Sequence, residues 1–301
     1  MNISGKTRVC VLIGDPVEHS LSPTIQNAAF EHLGLDYVYI AFNVKADRLK
    51  DAVSGIRALN IYGLNVTMPY KIAIIKYLDD LDETAGRIGS VNTVLNSDGK
   101  LIGYTTDGLG ALNALKYADA DPSNKKVVIL GAGGSSRAIS FTLAKITSEL
   151  VIFNRTFSRA EDLKNSIRRV LGDRLKIKAA PFTDEHLGKE LEDADILINA
   201  TPIGMKPKDD EMPVKKDYLR KDLVVFDLVY EPLETRLLRE ARSVGAKVID
   251  GLSMLVHQGA VSFKIWTGMD APVEIMIEAA LKKIRQLKGS SSSHGKEDAA
   301  F

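Results

Sequence analysis

The run Val127 to Arg137, VVILGAGGSSR, constrains this chain more than any other stretch. Four apolar or β-branched residues lead straight into glycines, and a helix-compatible run, Ala138 to Lys145, follows. A strand ending at Gly131 and a helix beginning near Gly134 aim backbone N–H groups and a positive dipole end at one spot, which suits a phosphate. Small residues at Gly131, Gly133 and Gly134 let a pyrophosphate approach the main chain. Ser136 stands where G-x-G-x-x-G places its third glycine, so an ordinary tight strand-to-helix turn competes with the phosphate reading. The rest of the chain has to decide.

A chain of 301 residues is long for one core, so two domains are expected. Lys plus Arg (40) nearly balances Asp plus Glu (39), which removes nucleic acid as the implied partner. The apolar run Val9 to Ile13 is too short for a signal segment, and no stretch approaches a membrane span. Cys10 is the single cysteine, read as a buried small hydrophobe, so an intrachain disulfide and a thiolate metal site are both excluded. Five histidines without an i, i+4 pair argue against a zinc centre, and no metal is expected. These signs describe a cytoplasmic protein whose partners are small molecules, with a homodimer left open.

Taken in order, the chain alternates strands and helices. Arg8 to Ile13 reads as a strand, and Ser22-Pro23 as a helix start with serine as N-cap. A strand at Tyr37–Phe42, a helix at Ala46–Leu59 and a strand at Ile61–Val66 complete a βαβαβ unit with a parallel sheet. Val91–Leu95 and Lys100–Tyr104 then form a hairpin, which makes this first sheet mixed. Asp107 opens another helix. From Val127 onward strands and helices alternate to about Val248, the rhythm of a doubly wound dinucleotide domain. Leu252 to Trp266 is apolar nearly all round, and Val273 to Leu287 is amphipathic. These two helices are expected to pack back on the N-terminal domain. The tail from Gly289 to Phe301 has too little apolar content to order and is read as disordered.

Three polar stretches fall where parallel strands should end, which is where such sheets bind ligands. In Ser20-Leu21-Ser22-Pro23, two hydroxyls precede a helix and suit a small carboxylate, although one serine alone reads as a cap. In Asn65 to Lys71, Thr67 and Pro69 look like a helix start, which puts Lys71 in a first turn. The helix dipole opposes a cation there by ~0.3–1 kcal/mol. A lysine so placed is either solvated or a proton donor and acceptor. In Tyr104 to Gly108, Asp107 is a cap or the partner of that lysine. Asn92 is a poor strand former in an otherwise good strand, which hints at a ligand contact. The strand Leu150–Phe153 ends in Asn154-Arg155-Thr156 with Arg159 beyond, and no carboxylate appears before Glu161. Two arginines in place of an acid suit a 2′-phosphate, so NADP(H) is favoured over NAD.

Together these motifs resemble the shikimate dehydrogenase family over residues 8 to 287. The matching elements are S-x-S-P at Ser20, N-V-T-x-P-x-K at Asn65, G-x-V-N-T at Gly89 and a variant N-T-D-G at Thr105. GAGG-x-[AS]-R at Gly131, NRT at Asn154, N-A-T-P-x-G-M at Asn199, D-x-x-Y-x-P at Asp227 and G-x-x-M-L-x-x-Q at Gly251 follow. The resemblance implies reversible NADPH-dependent reduction of 3-dehydroshikimate to shikimate, a step of aromatic amino acid biosynthesis. It implies that Ser20, Ser22 and Tyr230 hold the substrate carboxylate, that Thr67, Asn92 and Gln258 contact the ring hydroxyls, and that Lys71 with Asp107 carries the proton transfer. Gly131, Ala132, Gly133, Gly134 and Ser135 would cradle the pyrophosphate. Asn154, Arg155, Thr156 and Arg159 would hold the adenosine phosphate, Leu228, Gly251 and Met254 would border the nicotinamide, and Glu83 would join the cofactor set. The expected fold is a mixed, mainly parallel α/β substrate domain (1–108 and 252–288) plus a doubly wound Rossmann-like NADP domain (109–251), a deep cleft between them and a tail at 289–301. Two departures, Thr105 for the common asparagine and Tyr70 for the common histidine, change no proposed role. A quinate/shikimate dehydrogenase with dual substrate or NAD use is the nearest alternative. A non-catalytic ligand sensor on the same scaffold is a remote one, since Lys71, Asp107 and the glycines are all present.

Overall fold

The computed structural model describes residues 3–293. Arg8–Gly14 (β1), Ser22–His32 (α1), Tyr37–Asn43 (β2), Leu49–Ala58 (α2) and Gly63–Val66 (β3) form the βαβαβ unit, with β1 parallel to both β2 and β3. Asp80–Leu81 (β4) and Glu83–Ile88 (α3), which the sequence pattern does not reveal, precede the hairpin Thr93–Ser97 (β5) and Lys100–Tyr104 (β6). The first sheet runs β2-β1-β3-β5-β6-β4 and is mixed, because β5 is antiparallel to β3 and β6.

Period-2 alternation sorts the two faces of this sheet. Cys10 and Leu12 join one core with Ile25, Phe30 and Tyr39, while Val11 and Ile13 join another with Val53, Ile56 and Ile74. The C-terminal helices Gly251–Thr267 (α9 in chain order) and Val273–Ser293 (α10) cover the first of these faces. Val256, Phe263 and Trp266 of α9 and Met276 and Ala280 of α10 lie in the same cluster as Cys10 and Phe30. The last helix runs five residues into the expected tail, since each residue added to a formed helix gains a backbone bond without a new nucleus. Residues 294–301 of that tail lie outside the described residues.

Asp107–Tyr117 (α4) leads into the second sheet. Its elements are Lys126–Leu130 (β7), Gly134–Leu143 (α5), Glu149–Asn154 (β8), Phe157–Leu171 (α6), Ile177–Pro181 (β9), Asp184–Leu191 (α7), Ile196–Asn199 (β10), Val224–Asp227 (β11), Arg236–Ser243 (α8) and Lys247–Ile249 (β12). All of its pairings are parallel, in the order β9-β8-β7-β10-β11-β12. The order reverses between β7 and β10, the switch point where such sheets bind ligands. Val127 and Ile129 face one core and Val128 and Leu130 the other, so β7 is buried on both sides. Gly131 follows β7 at φ 110°, with Ala200 beyond β10 so close that a Cβ would sit 3.0 Å from its carbonyl oxygen. A side chain fits neither the angle nor the space. Ser136, in the place of the third glycine, is buried and donates to the Gly131 carbonyl at 2.5 Å, which closes the turn.

Candidate active site

Lys71 lies beyond the carboxyl end of β3, in a turn held by Tyr70 N–H to the Thr67 carbonyl (3.0 Å) and Val91 N–H to the Lys71 carbonyl (2.8 Å). The expected helix start at Thr67 is not formed: a short 3-10 helix begins only at Ala73, so the opposing helix dipole does not act on this lysine. The chain spends these residues turning toward Val91. The Lys71 ammonium donates to Asp107 Oδ2 and to Ser135 Oγ, the latter at 2.9 Å. Both members of the ion pair are sheltered, their side chains 13% and 4% exposed.

Asp107 is the first residue of α4 rather than its cap, a position taken by the buried Thr106. Its carboxylate is therefore free for side-chain partners. Asn92 sits just ahead of β5, not inside the strand as the pattern suggested, because the ladder starts at the Thr93–Tyr104 pair. Its Nδ2 donates to Asp107 Oδ1 (2.9 Å), Thr106 Oγ1 (2.8 Å) and Gln258 Oε1 (3.2 Å), and its Oδ1 accepts from Thr106 N–H (2.7 Å). The buried amide is thus spent on orienting Asp107 and Gln258. Gln258, on α9, brings the C-terminal segment into the same cluster.

A second group of hydroxyls assembles near the start of α1. Ser22 is the first residue of that helix and not its cap, which is Leu21, and Ser20 Oγ accepts from Ser22 N–H at 3.2 Å. Tyr230 reaches this place from the segment after β11. Burial pushes its phenol up, Glu231 adds to this, and a hydrogen bond with Ser20 opposes it. Burial also holds the Tyr39 phenol well above its ordinary value, Cys10 adds to this, and a hydrogen bond with Ser22 opposes it. The Tyr230 segment is braced by Asp227, which accepts from Asn199 Nδ2 (2.9 Å), Val229 N–H (3.1 Å) and Thr235 Oγ1 (2.7 Å). Thr67, just past the end of β3, is half-buried, its methyl against Gly14.

On the other side, α5 begins at Gly134 with no side-chain cap and no acidic residue in its first turn. Beside Gly133 nothing lies within 4 Å of where a Cβ would point. Arg155, Thr156 and Arg159 are exposed beyond β8, and among the described residues neither arginine pairs with a carboxylate. Asn154 fixes this corner through Nδ2 to the Thr156 carbonyl at 2.9 Å. Open donors, an open cradle and two unpaired guanidiniums fit a dinucleotide carrying an extra phosphate. Gly251 packs directly on the backbone of Leu228 and Val229, and Met254 sits one turn further along α9, in the core beneath β7 and β10. Glu83 is not brought to this loop. It pairs with Arg87 and faces a groove lined by Phe141, Thr142 and Lys145, at the far end of α5 from Gly134.

Residues 12–94 match the family model described as shikimate dehydrogenase substrate binding domain, 113–229 that of shikimate / quinate 5-dehydrogenase, and 251–281 that of the shikimate 5′-dehydrogenase C-terminal domain. A shikimate dehydrogenase (NADP(+)) of Methanopyrus kandleri is 50% identical over 288 residues, covering 95% of this chain and 99% of its own. The chain belongs to the shikimate dehydrogenase family. A shikimate dehydrogenase crystallised with NADP+ superposes with a TM-score of 0.88 at 49% identity, covering 94% of this chain and 98% of its own. A quinate dehydrogenase of Corynebacterium glutamicum in complex with NAD has a TM-score of 0.83 at 30% identity, over 92% and 99% of the two chains.

This member of the shikimate dehydrogenase family also carries a buried polar relay that sequence reasoning missed. Tyr39 OH donates to Asn65 Oδ1 (2.7 Å), and Asn65 Nδ2 donates to the Asn92 carbonyl and to Thr93 Oγ1 (3.0 Å each). Thr93 Oγ1 in turn is hydrogen-bonded to Ser262 Oγ at 2.8 Å. The available signal was an asparagine inside the otherwise apolar strand Gly63-Leu64-Asn65-Val66. Buried amides need such partners.

Proposed function

We propose that this chain reduces 3-dehydroshikimate to shikimate with NADPH, reversibly, using Lys71 as acid and base and Asp107 as its partner. The observation that carries the reading is the Lys71–Asp107 pair, sheltered from water and in contact with the first turn of α5. NADPH, when bound, supplies the hydride that the ketone carbon accepts. The charged Lys71 then gives a proton to the developing alkoxide, and in the oxidation direction it takes that proton back. Asn92 turns the Asp107 carboxylate so that Oδ2 meets the Lys71 ammonium. Ser20, Ser22 and Tyr230 offer hydroxyls to the substrate carboxylate, while Thr67, Asn92 and Gln258 border the ring.

For the cofactor, the first-turn N–H groups from Gly131 to Ser135, with Ala132, would hold the pyrophosphate. Asn154, Arg155, Thr156 and Arg159 would hold the 2′-phosphate, and Leu228, Gly251 and Met254 would flank the nicotinamide. Residues 1–108 and 252–288 act as the substrate unit and 109–251 as the cofactor unit. The packing of α9 and α10 on the β1 core supports this division. Lys71→Ala tests the reading: kcat falls by ~10²-fold or more with little change in KM for shikimate. Near-normal turnover would remove the lysine from the chemistry.

A further inference from the structure

We propose that the Ser135 side chain is a positioning residue for Lys71, tying the proton-transfer lysine to the turn that receives the cofactor. The inference deepens the reading above and rests on it for the role of Lys71. Two consecutive serines follow the glycines, and they are used differently. Ser136 turns inward and closes the loop on the Gly131 carbonyl. Ser135 turns outward, and its Oγ accepts from Lys71 Nζ at 2.9 Å across the gap between the two sheets. Among the described residues no other hydrogen bond uses this hydroxyl.

The approach is close because Gly134 has no side chain. A Cβ there would lie 3.1 Å from Lys71 Cβ, 3.3 Å from Lys71 Cδ and 3.2 Å from Ser90 Oγ. The lysine stem is therefore laid along the start of α5, and its head has two fixed partners. An ammonium has three donors. Asp107 and Ser135 take two, which fixes the direction of the third.

The two partners are not equivalent. An ionised carboxylate only accepts, so Asp107 can hold the free amine only through one of its two remaining N–H groups. A serine hydroxyl accepts from an ammonium and donates to a free amine. Ser135 can thus hold Lys71 in both of its protonation states, which a reversible proton transfer requires. Because the hydroxyl rides on the cofactor turn, the lysine is held in register with whatever that turn binds.

The test compares wild type, Ser135→Ala and Ser135→Thr as full chains, with thermal melting to confirm folding. Lys71 arylation by fluorodinitrobenzene, without cofactor, is followed by peptide mass spectrometry at fixed alkaline pH. Ser135→Ala should react about tenfold faster, because the ammonium has lost a partner and the reactive amine is freer. Ser135→Thr should stay near wild type. In shikimate oxidation Ser135→Ala should lower kcat about tenfold and move the acid limb of its pH profile. Equal arylation in all three proteins would overturn the proposal. So would a raised KM for NADP+ with unchanged kcat and pH profile, which marks a loop role only. If wild type fails to turn over shikimate, the reaction reading falls, while arylation still decides the contact.

Discussion

Asn92 Nδ2 lies 2.9 Å from Asp107 Oδ1, so the carboxylate that meets Lys71 through its other oxygen is held in one orientation. The same amide accepts from the buried Thr106 N–H. Asn92→Ala therefore strands a buried donor and frees the carboxylate. We expect a stability loss of ~1–3 kcal/mol in urea unfolding and a fall in kcat of about tenfold or more. A stability loss with unchanged kcat would make Asn92 a scaffold residue only.

Asp227 sets a pH dependence of stability. Burial raises its carboxyl from 3.8 to about 6, against hydrogen bonds from Thr235, Val229 and Asn199. The folded state keeps this proton more tightly than the unfolded chain does. Its stabilising contribution is complete below 3.8 and lost as the pH rises through about 6. A shift of this size corresponds to ~3 kcal/mol. Unfolding free energies of wild type minus Asp227→Asn should fall across that window by an amount of this order. Parallel curves would show that the carboxyl titrates alike in the folded and unfolded chain.

The two arginines beyond β8 are exposed, and among the described residues neither pairs with a carboxylate. Replacing Arg155 and Arg159 together by alanine should raise KM for NADP+ about tenfold or more and leave NAD+ within about twofold. Equal losses for both cofactors would place the arginines away from the 2′-phosphate.

Much of this was legible because it depends on local pattern. The fully buried strand β7, its glycines and the arginines after β8 are visible as residue types at fixed spacing. The helices at the C-terminus read as apolar faces needing cover, and they find it on Cys10 and Phe30. Legibility failed where long-range contacts override local signals. Thr67 and Pro69 imitate a helix start, yet Val91 pins Lys71 in a turn. Asp107 and Ser22 look like caps, yet the preceding residues Thr106 and Leu21 occupy those positions. The two-residue β4 is too short to have a period. Thr105, a departure from the common asparagine, has a buried Oγ1 with no hydrogen-bond partner among the described residues, which nothing in its sequence context foretells.

NADP-dependent oxidation of shikimate by this chain is tested most directly by one comparison. Purified full-length chain is assayed for kcat/KM with shikimate and with quinate, each with NADP+ and with NAD+. The account predicts the highest value for shikimate with NADP+, with either change of partner lowering it about tenfold or more. Equal or better oxidation of quinate with NAD+, or no oxidation of shikimate with either cofactor, would contradict it.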